Sequence, residues 1–585
     1  MSVRRWLEQL PRANTGATTR ALYDALSELN RVQVPASTRL QMLDCLVPVW
    51  NNVRERLQRQ HLAKGGLFAE QPRQVARLLE SMSMSIVIGY ALVAVQSESR
   101  TVRDRLESRA QVATAVAGAL SAQRYTLFIN ALLYQAPRIG FWRSVHGLFQ
   151  LADEQGVALE KVQIDDRSST CRDLYVSALL FAAAGLNQLH QRDLTSLYRR
   201  IPEWAPAVEI VAGAPERCVL AVEPNADAGP IYRSKATRVS LRWRGLDVSE
   251  LLRRLEDELE LPTPPAERAL MLHLSETWGL PQSRGAMRIE VEEPLLISVG
   301  LASTHHEVAG DVDFDALIRA KHGAAGGNQF LDEREAHGRK ERDVWDSVYE
   351  TQREPSPALA AAMELGLDEP LPDEDSGATP APEVFRVIAI DASPRGYRLQ
   401  WPRDAEAPLQ GGEIIGLRRE TGGRQWMIGV VRWVSMSTKG PRVGVELLSA
   451  GARPHLARAS AASSGNWHRV LSLPEMKAIA QPPMLVMPVG VFAERDAIEL
   501  SSPEGDSAVV LTRLVEARGG FSQFEFREVA LPHKEALPVS ASAQKFGGER
   551  LGGERLGGER LGGERLGSER LGSEVPGFEE LWERL

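Results

Sequence analysis

Cysteine is scarce in this chain, and so are the motifs that would mark an enzyme. Its 585 residues hold three cysteines, Cys45, Cys171 and Cys218, far apart and with no C-x-x-C pair. That spacing argues against a disulfide framework or a zinc ribbon and suits a reducing compartment. No G-x-x-x-x-G-K-[ST], G-x-S-x-G or H-E-x-x-H run occurs, so P-loop, nucleophile-elbow and metalloprotease chemistries are not expected. No carboxylate pair stands at a recognisable catalytic spacing either, and the expectation is a protein that is not an enzyme. A basic excess is also missing. The net charge of −8 argues against a partner that is a nucleic-acid polymer, although one local arginine cluster can still hold a small anion. The longest apolar stretch, Ile86 to Val95, contains Gly89 and Tyr90 and is too short to span a bilayer. The first residues, Met1 to Trp6, lead into polar sequence rather than the apolar core of a signal peptide. Together these absences imply a cytoplasmic protein with no membrane span.

What remains is an ordinary globular composition, 43% hydrophobic and 25% charged, on a chain long enough for two to four domains with their own cores. The expected fold class is multidomain α + β. Residues 1–204 carry apolar residues at spacings of three and four, as in Leu40-Leu43-Val47-Trp50 and Val112-Ala115-Val116-Leu120, and predict an all-α helical domain that binds a partner. Pro35, Pro72, Pro137 and Pro202 mark helix boundaries in this reading. Residues 205–309 read as a mixed α/β segment. Its strands are expected at Cys218–Val222, Thr237–Trp243, Met287–Val291 and Leu295–Leu301, and its helices at Ser249–Leu259 and Pro265–Glu276. Residues 310–383, rich in Gly, Pro, Asp and Glu, read as a disordered linker or insertion with one short helix near Trp345. Residues 384–450 are strand-rich. Residues 451–530 form a β-rich extension, either a second small barrel or a decoration of the first.

The C-terminal sequence is unusual. From Gly547 to Gly572 the unit Gly-Gly-Glu-Arg-Leu recurs, drifting to Gly-Ser-Glu-Arg-Leu. Two Gly, or Gly and Ser, in every five residues disfavour a helix, so 531–575 is expected to be a flexible linker, its repeats spanning roughly 30 Å. The regularity of the repeat fits neutral expansion. Beyond it Phe578, Leu581, Trp582 and Leu585 stand at i, i+3, i+4, i+7 with Glu579, Glu580 and Glu583 between them. Residues 576–585 therefore predict a short acidic amphipathic helix that docks on a protein partner or on the chain itself.

One short stretch points to a ligand. Asp391-Ala392-Ser393-Pro394-Arg395-Gly396 lies between two strand-like runs, Val384–Ile390 and Tyr397–Trp401. Taken alone it reads as an Asx-turn in a hairpin. With its flanking strands and the three that follow, at Gly412–Arg418, Trp426–Met436 and Arg442–Leu448, the D-x-S-x-x-G spacing resembles the second half of the PilZ signature. The resemblance covers the strand-rich region and implies an antiparallel β-barrel that binds cyclic di-GMP. In that family two arginines in R-x-x-x-R precede the first barrel strand. Arginine suits such a ligand because a planar guanidinium can pair with phosphate, bond the guanine O6/N7 edge and stack on a base. The carboxylate accepts from the guanine amide and amine.

No R-x-x-x-R stands just before Asp391. The spacing occurs instead at Arg284-Gly285-Ala286-Met287-Arg288, followed by the strand-like run Ile289 to Gly300. On this split-barrel reading 310–383 is an insertion between the first two strands, which loop-closure entropy tolerates. The expected ligand-binding residues are Arg284, Arg288, Asp391, Ser393 and Gly396. The alternative leaves Arg284 and Arg288 on the surface of an unrelated α/β domain. Arg238 and Arg242 also stand four apart but read as a solvated strand face, and Arg339 and Arg342 as solvated linker. His305-His306-Glu307 with Asp311 and Asp313 is not expected to hold a metal, because neighbouring histidines on a strand face opposite ways. The function implied is a cyclic di-GMP effector that couples the nucleotide to protein–protein contacts in motility, type IV pilus function or surface attachment. A nucleotide-free PilZ-like adaptor and a helical scaffold are the alternatives.

Overall fold

The computed structural model describes residues 3–529, apart from 63–69, 97–101, 280–287, 319–382, 403–408, 461–465, 476–480 and single positions at 237, 311, 313, 315, 316, 422 and 424. The GGERL repeats, the 578–585 peptide, Arg284, Arg339, Arg342 and Trp345 lie outside the described residues.

The N-terminal region is helical: α1 (Val3–Glu8), α2 (Thr15–Arg31), α3 (Ala36–Leu57), α4 (Glu70–Gln96), α5 (Val102–Leu132), α6 (Phe141–Glu154), α7 (Cys171–Ala183) and α8 (Gln191–Trp204). Side chains mark several starts. Asn14 accepts the Ala17 N–H at 2.9 Å, and Thr170 that of Asp173 at 3.0 Å, each satisfying an orphan donor of the first turn. Helix α5 is the axis. Every residue from Ala115 to Leu132 is buried, as expected of a helix surrounded by others. Helix α4 lies against it so closely that a Cβ on Gly118 would fall 2.5 Å from the Tyr90 ring. By length and hydropathy α4 could cross a membrane, but 61% of that apolar stretch is buried within the protein, as in the core helix of a folded domain.

Two details correct the sequence reading here. The region is not all helix, because Asp165 and Asp166 take positive φ (49° and 60°) and close a tight hairpin between β1 (Val162–Ile164) and β2 (Arg167–Ser169). Pro202 lies inside α8 rather than at its boundary, in the last turn.

The next segment is a four-stranded sheet in the order β3-β6-β4-β5, formed by β3 (Glu209–Ala212), β4 (Leu220–Val222), β5 (Ile231–Tyr232) and β6 (Arg244–Asp247), followed by α9 (Ser249–Glu260) and α10 (Pro265–Gly279). The strand expected at 237–243 is displaced to β6. Leu241 is instead 85% exposed on a turn closed by Trp243 N–H to Ser240 O (3.0 Å). Pairing begins where Gly245 allows close packing, because a Cβ there would lie 2.6 Å from Cys218 Sγ. Arg238 and Arg242 therefore sit beside a turn rather than on a strand face.

The two strands expected at 287–291 and 295–301 are one strand, β7 (Ile289–Val299), with a register shift between Glu290 and Glu293 that absorbs the acidic residues before Pro294. It pairs antiparallel with β8 (Val384–Ser393), Ser298 opposite Val384 and Glu290 opposite Asp391. With β9 (Gly396–Gln400), β10 (Ile414–Arg419), β11 (Met427–Ser437) and β12 (Gly440–Ser449) these strands close a barrel in the order β10-β11-β12-β9-β8-β7. Its interior holds Leu295, Ile297, Val387, Leu399, Val431 and Val445, and Tyr134 from the end of α5 packs into the same core.

Residues 453–529 form a second closed barrel, not a decoration: β13 (Arg453–Ala459), β14 (His468–Leu473), β15 (Met484–Pro488), β16 (Ala497–Ser502), β17 (Gly505–Arg518) and β18 (Phe521–Val529), in the order β13-β14-β15-β18-β17-β16. The barrels share an apolar seam of Ile414, Ile428 and Val430 against Leu471, Val486 and Phe521. Helix α11 (Leu301–Ala309) adds Leu301 to that seam. The His305-His306 pair thus lies on a helix, which corrects its strand assignment. Gly300, with φ +86°, turns the chain from β7 into α11. The His305 ring is buried with Nε2 bonded to the His455 carbonyl at 3.0 Å.

Candidate functional site

Two irregularities at the end of β8 build the site. Register shifts fall between Ala389 and Asp391 on the β9 side and between Glu290 and Glu293 on the β7 side. Ala389 belongs to the barrel core and Leu399 on β9 does too, so the residue facing Asp391 across β9 is Arg398, one position out of the core alternation. Bulges commonly re-aim a side chain in this way next to a functional site.

The Asp391 carboxylate is almost fully buried and lies between two guanidinium groups. Arg288 Nη1 stands 3.3 Å from Oδ1 and Arg398 Nη2 stands 2.7 Å from Oδ2. The Asp391 side chain is 4% exposed, against 27% for Arg288 and 24% for Arg398. A carboxylate this buried requires such partners, since an unpaired one carries a desolvation penalty of several kcal/mol.

The turn itself is short. Ser393 and Gly396 face each other across β8 and β9, with Pro394 and Arg395 as the corner. The Ser393 hydroxyl donates to the Gly396 carbonyl at 3.3 Å, and the Leu447 N–H on β12 donates to the Arg395 carbonyl at 2.8 Å. Gly396 does not take a positive φ. Its requirement is space, because a Cβ would fall 1.9 Å from the Val445 carbonyl oxygen. The hairpin therefore sits directly on β12.

Of the expected site residues, the structure brings Arg288, Asp391, Ser393 and Gly396 to one end of the β7–β8–β9 sheet. Arg284 lies outside the described residues. Sequence reasoning missed Arg398. It stands two residues after Gly396, and the only signal for it is the hairpin register that places it opposite Asp391. Also missed was a half-buried cluster beside the site. Arg432 on β11 bonds Glu446 on β12 and, across the seam, both carboxylate oxygens of Glu516 on β17, one of them at 3.0 Å. Glu446 is the cross-strand neighbour of Gly396. Burial works against the Arg432 charge, but Glu516 and then Glu446 outweigh it and hold its pKa above the usual arginine value. A second cluster, His190, Arg192 and Asp193 at the start of α8, faces Gly411 and Arg518–Gly519 of the two barrels across a narrow cleft.

A six-stranded antiparallel barrel with an arginine before its first strand and D-x-S-x-x-G running from the end of its second into its third defines a PilZ-type domain. Comparison with known proteins agrees. Residues 1–216 match the family model for the N-terminal domain of the cyclic-di-GMP receptor FimW, 219–454 its middle PilZ domain and 455–529 its C-terminal β-barrel domain. The chain belongs to the PilZ-domain proteins, with a helical N-terminal region. It is 28% identical over 577 residues to the cyclic-di-GMP receptor FimW of Pseudomonas aeruginosa (strain PAO1), covering 93% of this chain and 91% of that relative. No solved structure matches.

Proposed function

We propose that this chain is a cyclic di-GMP receptor. The observation that carries the reading is the Arg288–Asp391 pair, which joins residues 103 positions apart in sequence at the turn where the PilZ signature places its ligand. Asp391 offers acceptors to a guanine N1–H and N2 amine, and Arg288 offers a planar donor to phosphate or to O6/N7. Ser393 shapes the turn, and Gly396 brings it down onto β12. We take Arg284, which completes the R-x-x-x-R, as a further nucleotide-binding residue. The matched relative bears the name of a cyclic-di-GMP receptor, which supports the same ligand here. The protein acts by binding rather than by catalysis, in the cytoplasm.

We take the helical domain as the partner-binding element and the Phe578/Leu581/Trp582/Leu585 peptide as a second contact. The proposed output is control of motility, type IV pilus function or surface attachment. Calorimetric titration with cyclic di-GMP tests the first step. Saturable binding that is lost in Asp391→Ala and Arg288→Ala supports the receptor, and no binding by the unaltered chain leaves a nucleotide-free adaptor.

A further inference from the structure

The two guanidinium groups on Asp391 are not equivalent. Arg398 lies within the barrel ladder, its backbone paired on one side with Asp391 and on the other with Gly444, and makes the shorter contact, 2.7 Å to Oδ2. Arg288 stands just before the first residue of β7, outside the ladder, and makes the longer contact, 3.3 Å to Oδ1. A carboxylate offers about four lone-pair sites, so guanine can be accepted at Oδ1 once Arg288 leaves, with Arg398 still in place on Oδ2.

We propose that Arg398 is a positioning residue of the nucleotide site. It holds the buried Asp391 carboxylate in place and aimed while Arg288 exchanges Asp391 for the nucleotide. This assignment rests on the receptor reading above. It gives the two arginines opposite roles. Arg288 carries its charge to an anionic ligand, whereas the charge of Arg398 stays engaged with Asp391 in both states. Exchange by Arg288 costs the protein little, because Arg398 continues to compensate the carboxylate.

The test is the affinity of the full chain for cyclic di-GMP at several ionic strengths, for the unaltered protein and for Arg288→Gln, Arg398→Gln and Arg398→Lys, with a thermal melt of each without ligand. Losing a hydrogen bond to a charged group corresponds to roughly tenfold or more in affinity, and Arg398→Gln is expected to weaken binding by that order. Its salt dependence should match that of the unaltered chain, because no charge reaching the ligand has been removed. Arg288→Gln should weaken binding and also flatten the salt dependence. Arg398→Lys retains the charge and should recover most of the affinity, which covers the case in which Arg398→Gln does not fold. Unaltered affinity in Arg398→Gln, or a flattened salt dependence in either Arg398 variant, overturns the positioning role while leaving the receptor reading intact. Failure of the unaltered chain to bind overturns both.

Discussion

Gly396 shows how a single position can be required for reasons its sequence does not reveal. Glycine in a turn suggests a left-handed backbone, but here the backbone is ordinary and the constraint is the Val445 carbonyl, 1.9 Å from where a Cβ would sit. Backbone cannot yield as a flexible side chain does, so Gly396→Ala is expected to cost about 2 kcal/mol or more and to lift the hairpin off β12. A thermal melt checks the first effect, and loss of amide protection at Leu447, which donates to the Arg395 carbonyl, checks the second. Arg432 makes a different kind of demand. It is the half-buried cation between Glu446 and Glu516, and Arg432→Met would leave two half-buried carboxylates with one cation fewer. The expected loss is about 3 kcal/mol, read as a lower midpoint in urea unfolding.

At the scale of elements, the informative strand is β7. Its place beside β8 depends on a pairing that spans residues 299 to 384, and the order of arginines, strand and D-x-S-x-x-G made that pairing readable from sequence. Ser298 pairs directly with Val384, so replacing 319–382 with a short Gly/Ser linker should leave the barrel folded. Loop-closure entropy changes only slowly with length, and the melting point of the shortened chain should stay near that of the full chain. A large drop would show that the segment stabilises the barrel. The same strands also show what the sequence conceals. Asp391 was legible from its motif, but Arg398 acquires its partner from a bulge and a register, neither of which leaves a local pattern. His305 and His306, expected on a strand, lie on α11, which a positive φ at Gly300 starts. The strand expected at 237–243 gives way to a turn, and the ladder forms at Arg244–Asp247 instead.

At the scale of the whole molecule, the helical region and both barrels are joined by specific contacts. The Tyr134 hydroxyl donates to the Leu189 carbonyl at 2.9 Å and accepts from the Gly411 N–H at 3.1 Å, and its carbonyl takes the Met436 N–H at 3.1 Å. Arg192 on α8 donates to the Gly519 carbonyl at 3.1 Å, and the His190 ring stands 3.6 Å from Glu413. These links gave no sequence signal, because each joins residues far apart along the chain, most of them in different domains.

The buried and half-buried histidines add a pH dependence. Burial pushes the His305 ring down to about 3, and lowers His146, His455 and His468 in the same direction. Such groups bind protons more readily when the chain is unfolded, so acid favours unfolding. Their contribution to stability is present above about pH 6.5, the ordinary histidine value, and is lost as pH falls toward the folded-state values. Melting points measured from pH 7.5 to 4.5 should fall through this window, and His305→Gln should make the fall shallower.

The central claim is that Arg288 and Asp391, brought together by a strand pairing across the insertion, form a cyclic di-GMP site. Titration of the full chain with cyclic di-GMP, unaltered and as Arg288→Ala and Asp391→Ala, tests it most directly. The account predicts saturable binding by the unaltered chain and a loss of at least tenfold in each variant, the order expected for one hydrogen bond to a charged group. Binding that persists undiminished in either variant, or is absent from the unaltered chain, would contradict it.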